Sequence, residues 1–443
     1  MQPVPGPSMS AMDRRIIGLA VPALGALIVE PLYNLTDTAI VGHLGRTPLG
    51  GLALATTVLN LIGWTSGFLQ MATTSQVAFR RGQDDPDAAS AAAVTGYVVA
   101  LALGVAVAVL VAVAGPPLSH LLGGHGRVQA DASTYLRISA LGMPFLLLTL
   151  AGTGHLQGGE DTRTPLRIVL VANAANVALE LLLVYGAGLG IAGSAWGTVV
   201  AQAVAATLFL RAGFRRTARP VPRPRTSEYL VLVRNGFALV VRTIALGAAL
   251  VASTAIAAQI GPATLAGHQI TLQVWTLLAL TLDALAVPAQ VYVGTALGRA
   301  DVADAAAIGR RCLRIGLLVS GVVAALTMAL SPVLPYLFTG DADVRAVATT
   351  GLLWCGAQQP FAATAFVLDG LLLGAADYTT LRRAMLLALI AFAPLAAATL
   401  AHHQLGITGI WLALTCWLAA RCALLGARWR TRMSRADHPQ RQP

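Results

Sequence analysis

Three polar residues, Glu30, Asn34 and Asp37, interrupt an apolar segment near the start of the chain. Their spacing would place all three on one stripe of an α-helix. A charged side chain at the centre of a membrane-spanning helix costs about 2.5–3.5 kcal/mol, and such residues usually face a cavity that carries ions, protons or substrate. The stripe therefore predicts a site of that kind. The alternative interpretation is a buried polar patch that only joins helices.

A second polar set lies further along the chain. Asn173, Asn176 and Glu180 share one face of a predicted helix, and Thr198 follows in the next helix. Counted from the predicted helix ends, Asp37, Glu180 and Thr198 lie at one depth, roughly 8–10 Å inside the outer surface, so we expect a single polar cluster. Two carboxyl groups in a low-dielectric setting would share a proton. The same oxygen atoms could instead hold Na⁺, and the spacing does not choose between them.

The elements that must position these residues are membrane-spanning helices. The chain has 443 residues, of which 56% are hydrophobic and 11% are charged, and its mean hydropathy is +0.71. This composition is too apolar for a soluble enzyme of the same length. Apolar segments of at least the roughly 20 residues that a span requires recur along the chain, which predicts an all-α integral membrane protein with about twelve transmembrane helices. The predicted spans are 16–43, 48–79, 90–115, 130–157, 164–187, 191–212, 229–259, 263–297, 306–338, 345–375, 380–402 and 406–428.

The net charge of +11 comes from arginines that fall in alternate connections. This pattern is typical of membrane topology rather than of nucleic-acid binding, so no nucleic-acid partner is expected. The arginine-rich connections, from Arg14 and Arg15 at one end to Arg421 through Arg441 at the other, are predicted to be cytoplasmic. Both termini would then lie inside a bacterial cytoplasmic membrane. Arg242 is the only clear arginine within a predicted span.

The two halves of the chain repeat one pattern at a constant offset. Pro144 recurs as Pro360 and Asp161 as Asp377, since 360−144 and 377−161 both equal 216. Six spans per half is an even number, so both halves would enter the membrane in the same sense, as two lobes related by a pseudo-twofold parallel repeat. The predicted domains are an N-terminal six-helix lobe at 1–212, a cytoplasmic linker at 213–228, a C-terminal six-helix lobe at 229–430 and a cytoplasmic tail at 431–443.

The repeat supplies an internal control for the polar cluster. At an offset of 216, the residues equivalent to Asp37, Asn176, Glu180 and Thr198 are Ser253, Phe392, Ala396 and Leu414. The second lobe lacks the cluster, which favours an ion or proton site over structural glue. The second lobe has its own buried candidates, Arg242, Asp283 and Asp369. An internal pairing of Arg242 with one of these aspartates and a substrate or coupling role both remain open.

Several of these motifs resemble one transporter family. The first-helix set resembles multidrug and toxic compound extrusion (MATE) transporters, as does the connection Glu160-Asp161-Thr162-Arg163-Thr164-Pro165. The pair Asp369-Gly370, with Asp283 and Ala289-Gln290, is similar to the DinF-type branch. The first-helix set consists of Pro22, Tyr33, Asp37, Thr38, Ala39, Val41 and Gly42.

The resemblance implies a MATE-type fold and an antiporter that exports organic, often cationic or amphipathic, compounds in exchange for H⁺ or Na⁺. It implies proton or ion coupling at Asp37, Asn176, Glu180 and Thr198, and a bend in helix one at Pro22. The further candidates for the substrate cavity or for gating are Pro22, Glu30, Tyr33, Asn34, Asn173, Arg242, Asp283 and Asp369.

The expected partners are small organic substrates and membrane lipids, with one chain as the functional unit, no cofactor and no bound metal other than a possible Na⁺. Proton coupling is the first interpretation, and Na⁺ coupling is the alternative. A flippase for lipid-linked precursors would need a cationic cavity. A membrane-embedded transferase would need a metal or nucleophile constellation, which the sequence does not display, so the protein is expected not to be an enzyme.

Overall fold

The computed structural model describes residues 11–217 and 223–436, without the side chains of residues 435 and 436. Part of the predicted linker, 218–222, and part of the predicted tail, 437–443, lie outside the described residues. The described chain is helical throughout its regular elements. These are α1 (Ala11–Gly42), α2 (Arg46–Ser66), α3 (Phe68–Gly82), α4 (Pro86–Leu121), α5 (Gly126–Ala140), α6 (Met143–Gly158), α7 (Arg163–Leu181), α8 (Ile191–Phe214), α9 (Thr226–Ile260), α10 (Pro262–Gly298), α11 (Val302–Leu330), α12 (Ala342–Ala357), α13 (Gln359–Gly374), α14 (Tyr378–Ala401) and α15 (Gly406–Ala436).

The number of spans is roughly consistent with the predicted twelve, since ten helical segments of the described chain are long and apolar enough to cross a membrane. The pair α5 and α6, bent by 52°, would make an eleventh. The twelfth predicted span, 345–375, corresponds to α12 and α13, of which α13 is an apolar helix of 16 residues.

Three predicted spans are not continuous helices. The prediction of single helices at 48–79, 130–157 and 345–375 was wrong, because each segment consists of two helices that meet at a short break. Pro144 and Pro360 lie in the first turns of α6 and α13. A proline fits the first turn of a helix but cannot continue a preceding one, because its ring blocks the backbone and it has no N–H to donate.

The backbone confirms the internal repeat. Four pairs of residues with left-handed φ angles are each separated by 216 residues. A positive φ is unfavourable for a residue with a β-carbon, so turns of this kind are uncommon. Their recurrence at one offset shows that the two halves of the chain align at these positions. Both bounds of α6 recur in α13 at the same offset, since 359−143 and 374−158 equal 216. The four pairs are Gly45 and Gly261, Asp84 and Ala300, Glu160 and Ala376, and Gly190 and Gly406.

The chain divides into two compact units. Pro22–Gly236 form one unit, and the described residues before Pro22 and after Gly236 form the other. The predicted lobes, 1–212 and 229–430, stay a prediction. The first unit has an apolar core that includes Leu52, Leu136 and Met143, and the core of the second includes Trp411 and Trp417.

Helix α4 shows how the spanning helices meet their surroundings. Val105, Val109, Leu110 and Val113 are 51%, 61%, 61% and 72% exposed on this helix. Apolar side chains exposed along a spanning helix are typical of lipid contact. Lipid chains are as apolar as these side chains, so burial inside the protein would give no hydrophobic stabilisation.

Equivalent carboxylates hold the starts of α7 and α14. Asp161 accepts a hydrogen bond from the backbone N–H of Thr164 at 2.9 Å and pairs with Arg216 at 2.5 Å. Asp377 accepts from the backbone N–H of Thr380 at 3.3 Å and pairs with Arg428 at 2.7 Å. Each half therefore anchors the start of its fifth span to an arginine, which follows α8 in the first half and lies in the last part of α15 in the second.

This arrangement predicts a pH-dependent contribution of Asp161 to stability. Burial acts to raise the pKa of this carboxyl, but hydrogen bonds from Thr164 and Arg216 outweigh burial and hold the pKa below its ordinary value. A lowered pKa means that the contribution is fully present above the unfolded-state pKa of about 4 and is lost as the pH falls through the folded-state value. We expect Asp161→Asn to destabilise the protein by up to about 1 kcal/mol at pH 7, the contribution of a partly exposed ion pair, and the difference to vanish at the acid end of a thermal-unfolding series. If the parent and the variant differed in stability by the same amount at every pH, the result would contradict an ionised contact between Asp161 and Arg216.

Candidate functional site

Asp37 is buried on α1 and is held by two other helices of the same unit. The hydroxyl of Ser194 on α8 donates a hydrogen bond to its Oδ1 at 2.6 Å. The hydroxyl of Tyr135 on α5 donates to its Oδ2 over 3.5 Å. An ionisable group in the interior of a spanning helix is thus fixed in position by neutral donors rather than by an arginine.

Thr198 on α8 contacts Tyr33 of α1 and two residues of α7. Its Oγ1 lies 2.9 Å from the hydroxyl of Tyr33 and 3.5 Å from Oε1 of Glu180. The Nδ2 of Asn176 is also 3.5 Å from this hydroxyl. The side chains of Asp37 and Glu180 interact directly with each other. The structure therefore brings together the four residues for which coupling was predicted, and Tyr33 joins them.

Two oxygen atoms of this cluster are buried and have no hydrogen-bond partner among the described residues. They are Oε2 of Glu180 and Oδ1 of Asn176. A buried polar atom without a partner destabilises a protein by about 1–3 kcal/mol. A proton on the carboxyl group or a small cation between the two oxygens would remove part of that cost.

Other predicted residues are not part of this cluster. Glu30 and Asn34 are exposed on α1. The side-chain amide of Asn173 donates to the backbone carbonyl of Val169 at 2.8 Å, which is a contact within its own helix. Pro22 lies inside α1, as does a second proline, Pro31. Each of these prolines removes one backbone hydrogen bond from the helix that carries Asp37.

Three contributors were missed in the sequence: Tyr135, Ser194 and Tyr185. Tyr185 lies in the π-helical turn Leu182–Gly186 that follows α7, and its hydroxyl donates to the backbone carbonyl of Ile40 at 2.6 Å. A lone serine or tyrosine in an apolar helix has no informative spacing. The repeat nonetheless distinguishes Ser194, because the equivalent residue of the second half, Ile410 at 194+216, is apolar and has no hydroxyl group.

The equivalent positions of the second unit are filled by hydrocarbon. Phe392, Ala396, Ile410 and Leu414 are all buried members of one hydrophobic cluster. Ser253, the residue equivalent to Asp37, shares a hydrogen bond of 3.2 Å with a buried histidine. The same scaffold therefore folds with an apolar filling at the positions where the first unit has its acid cluster.

The second unit has a different polar centre, built on Asp369 of α13. Its Oδ2 accepts from the guanidinium groups of Arg242 on α9 and of Arg421 on α15, at 2.5 Å and 2.6 Å. All three residues are buried, with exposed fractions of 6% for Arg242, 3% for Asp369 and 1% for Arg421. Asp283 on α10 interacts with Arg242 and Asp369 through its charge.

The prediction of a cytoplasmic connection for Arg421 was wrong. Arg421 lies inside α15, which runs for 31 residues. Its guanidinium carbon is 4.9 Å from the ring of Trp417 and 5.8 Å from that of Phe366. The side chain is therefore enclosed by protein, and Arg242 is not the only arginine of that kind.

Known proteins match this chain over almost its whole length. Protein DETOXIFICATION 44, chloroplastic, from Arabidopsis thaliana is 31% identical, and the match covers 96% of this chain and 83% of the relative. DNA damage-inducible protein F from Escherichia coli is 28% identical over 95% of this chain and 93% of the relative. A probable multidrug resistance protein NorM from Thermotoga maritima is 23% identical over 97% and 96%.

Solved structures show the same fold. A crystal structure of MATE in the bent conformation has a TM-score of 0.88 at 20% identity and covers 97% of both chains. An outward-facing conformation of a multidrug resistance MATE family transporter has a TM-score of 0.87 at the same identity and coverage.

A family model matches the chain twice, once in each half. The MatE model covers residues 22–182 and 239–403. The matched segments begin 239−22 = 217 residues apart, close to the offset of the repeat. With the acid cluster in one half, the arginine cluster in the other and this match over both, the chain belongs to the MatE family of multidrug and toxic compound extrusion transporters.

Proposed function

We propose that the protein exports organic, often cationic or amphipathic, compounds in exchange for protons, with Asp37 and Glu180 as the coupling pair. The observation that carries the proposal is the cluster itself, in which two buried carboxyl groups interact in one half of a repeated scaffold. Two ionised carboxylates that are buried side by side repel each other, so such a pair readily takes up a proton.

The mechanism is alternating access with competition at one site. A proton taken from outside neutralises the pair and weakens its hold on a cationic compound, and loss of the proton to the inside restores it. Ser194 and Tyr135 hold Asp37 in place throughout, and Thr198 donates a hydrogen bond to Glu180. Because proton and substrate exclude each other, the two fluxes are coupled.

Sodium coupling is the second candidate. It is favoured by Oε2 of Glu180 and Oδ1 of Asn176, which have no hydrogen-bond partner among the described residues and are ligands of the type that hard cations take. A lipid-linked precursor flippase receives less support, because the buried arginines of the second unit already share a carboxylate. The proposal further places one chain, surrounded by lipid, in a bacterial cytoplasmic membrane with both termini inside.

The coupling ion is tested by uptake of ethidium into everted vesicles that contain the protein, with acid and sodium pulses applied to the lumen separately. The lumen of an everted vesicle corresponds to the outside of the cell. We expect an acid lumen to drive uptake and a sodium-loaded lumen at neutral pH to have no effect. If sodium alone drives uptake, the sodium alternative replaces the proposal.

The close approach of α7 and α8 gives a further prediction. A β-carbon added at Gly197 would lie 2.9 Å from Cγ of Glu180 and 3.2 Å from its backbone nitrogen. Such overpacking typically costs about 1–3 kcal/mol, and the side chain of Glu180 would be displaced from Thr198. We expect Gly197→Ala to lower proton-driven ethidium uptake several-fold at equal expression. The matched control is Gly63→Ala, because a β-carbon at Gly63 would meet no atom within 4 Å. Equal losses in both variants would contradict the assigned role of Glu180.

A further inference from the structure

The connection between α4 and α5 places two histidines side by side. His120 lies in the last turn of α4, and His125 is the residue immediately before α5. The centres of their rings are 5.2 Å apart, and the ring planes make an angle of 54°. Both residues are exposed, so an ion can reach the two rings from the protein surface.

A backbone contact fixes the tautomer of His125. Its Nδ1 lies 2.9 Å from the carbonyl oxygen of Gly123. A carbonyl oxygen only accepts hydrogen bonds, so Nδ1 carries the proton, and Nε2 of the neutral ring keeps its lone pair. Histidines that bind metal ions usually donate their other N–H to a carbonyl or a carboxylate in this way. His125 is therefore held in the tautomer that a metal ligand requires.

The distance between the two rings suits a single metal ion. With zinc–nitrogen bonds of about 2.0–2.1 Å and tetrahedral angles, two imidazoles on one zinc ion would have ring centres about 5 Å apart. Imidazole suits zinc, copper and nickel, whereas magnesium and calcium take oxygen ligands. Among the described residues, no group of three or more histidine, cysteine, aspartate and glutamate side chains could hold a metal ion. Water would therefore complete the coordination of an ion bound by this pair.

The repeat shows that the connection can be built without these histidines. At an offset of 216, His120 and His125 correspond to Tyr336 and Asp341. Asp341 caps α12, because its side chain accepts hydrogen bonds from two backbone N–H groups of that helix at 2.9 Å and 3.1 Å. The side chain of His125 makes no such bond to α5. Aspartate is among the residues preferred at the start of a helix and histidine is not, so the first half has an imidazole in place of a stabilising cap.

We propose that His120 and His125 form a surface binding site for a transition-metal dication such as Zn²⁺. The inference goes beyond the proposed export function and does not depend on it. A bound ion would connect the end of α4 to the start of α5, because one ligand lies at each helix end. Helix α5 carries Tyr135, whose hydroxyl donates to Asp37, so the ion would steady a helix that supports the acid cluster.

The test is a calorimetric titration of purified, tag-free protein with zinc chloride in detergent, without any ion gradient. We expect the parent to bind zinc and not magnesium, and His120→Gln and His125→Gln each to weaken the tightest zinc site about tenfold or more. The matched control is His403→Gln, which removes an exposed histidine of the other unit and should leave that affinity unchanged. A parent without zinc binding, or parental affinity in both folded variants, would overturn the proposal. Failure of proton-driven ethidium uptake would overturn only the export function.

His125→Ser separates loss of the ligand from damage to the fold. Serine is a good helix cap but has no imidazole, so the variant should melt at or above the temperature of the parent when zinc is absent. Zinc should raise the melting temperature of the parent and not that of the variant, because only the parent gains stability from binding. Equal zinc-induced shifts would place the ion elsewhere. A variant that melts well below the parent without zinc would show that His125 serves the fold instead.

Discussion

Asp37→Asn is expected to abolish ethidium uptake driven by an acid lumen and to leave the protein folded. The amide is nearly the same size as the carboxyl and can still accept the hydrogen bond that Ser194 donates at 2.6 Å. It cannot exchange a proton in the working pH range, so coupling is lost although the contact survives. The measurement compares initial uptake rates in everted vesicles at matched protein levels, with thermal unfolding as the check on folding.

A matched substitution separates this effect from a general loss of negative charge. Asp87→Asn changes an exposed aspartate in the first turn of α4 and should transport as the parent does. Glu180→Gln should also impair proton-driven uptake, because the second carboxyl of the pair is removed. If folded Asp37→Asn protein transports as well as the parent, Asp37 is structural and coupling must belong to another carboxylate, for which Asp283 and Asp369 are the remaining candidates.

Asp369→Ala is expected to produce the largest loss of stability. The substitution leaves the guanidinium groups of Arg242 and Arg421 buried with neither of their observed ion pairs. Removal of one partner from a buried ion pair typically costs about 3–5 kcal/mol. We expect a clear fall in the melting temperature of the purified protein, measured in one detergent at one ionic strength.

The repeat supplies the variant that tests the cause. A triple change, Arg242→Ala, Asp369→Thr and Arg421→Ala, introduces the residues that the first half carries at the equivalent positions. Removal of all three charges removes the penalty of unpaired charges, so much of the lost stability should return. A triple variant as unstable as Asp369→Ala would indicate that packing volume, rather than unpaired charge, explains the loss.

The part of the acid cluster that obeys helical periodicity could be predicted from the sequence. Asn176 and Glu180 share a face of α7, and their depth matches that of Asp37, so their proximity followed from the rise of an α-helix. Ser194 and Tyr135 were out of reach, because a single hydroxyl in an apolar helix creates no pattern. Their contacts with Asp37 depend on how α1, α5 and α8 pack.

The position of Arg421 shows a second limit of sequence reasoning. The sequence prediction grouped Arg421 with the arginines of the cytoplasmic end of the chain, although the predicted span, 406–428, included this residue. The helix instead continues to Ala436, which places Arg421 in its middle. Its partner Asp369 lies 52 residues earlier in the chain, and local spacing carries no information about such a pair.

The apolar filling of the second unit at the positions of Phe392, Ala396 and Leu414 bears on the energetics of the first. It shows that this scaffold can fill these three positions with hydrocarbon. The first unit instead encloses two carboxyl groups and leaves Oε2 of Glu180 without a hydrogen bond among the described residues. Its core is therefore less stable than its own duplicate permits, as is common where activity and stability make opposing demands. That local instability can be measured as the stability gained when the acid cluster is exchanged for its apolar counterpart.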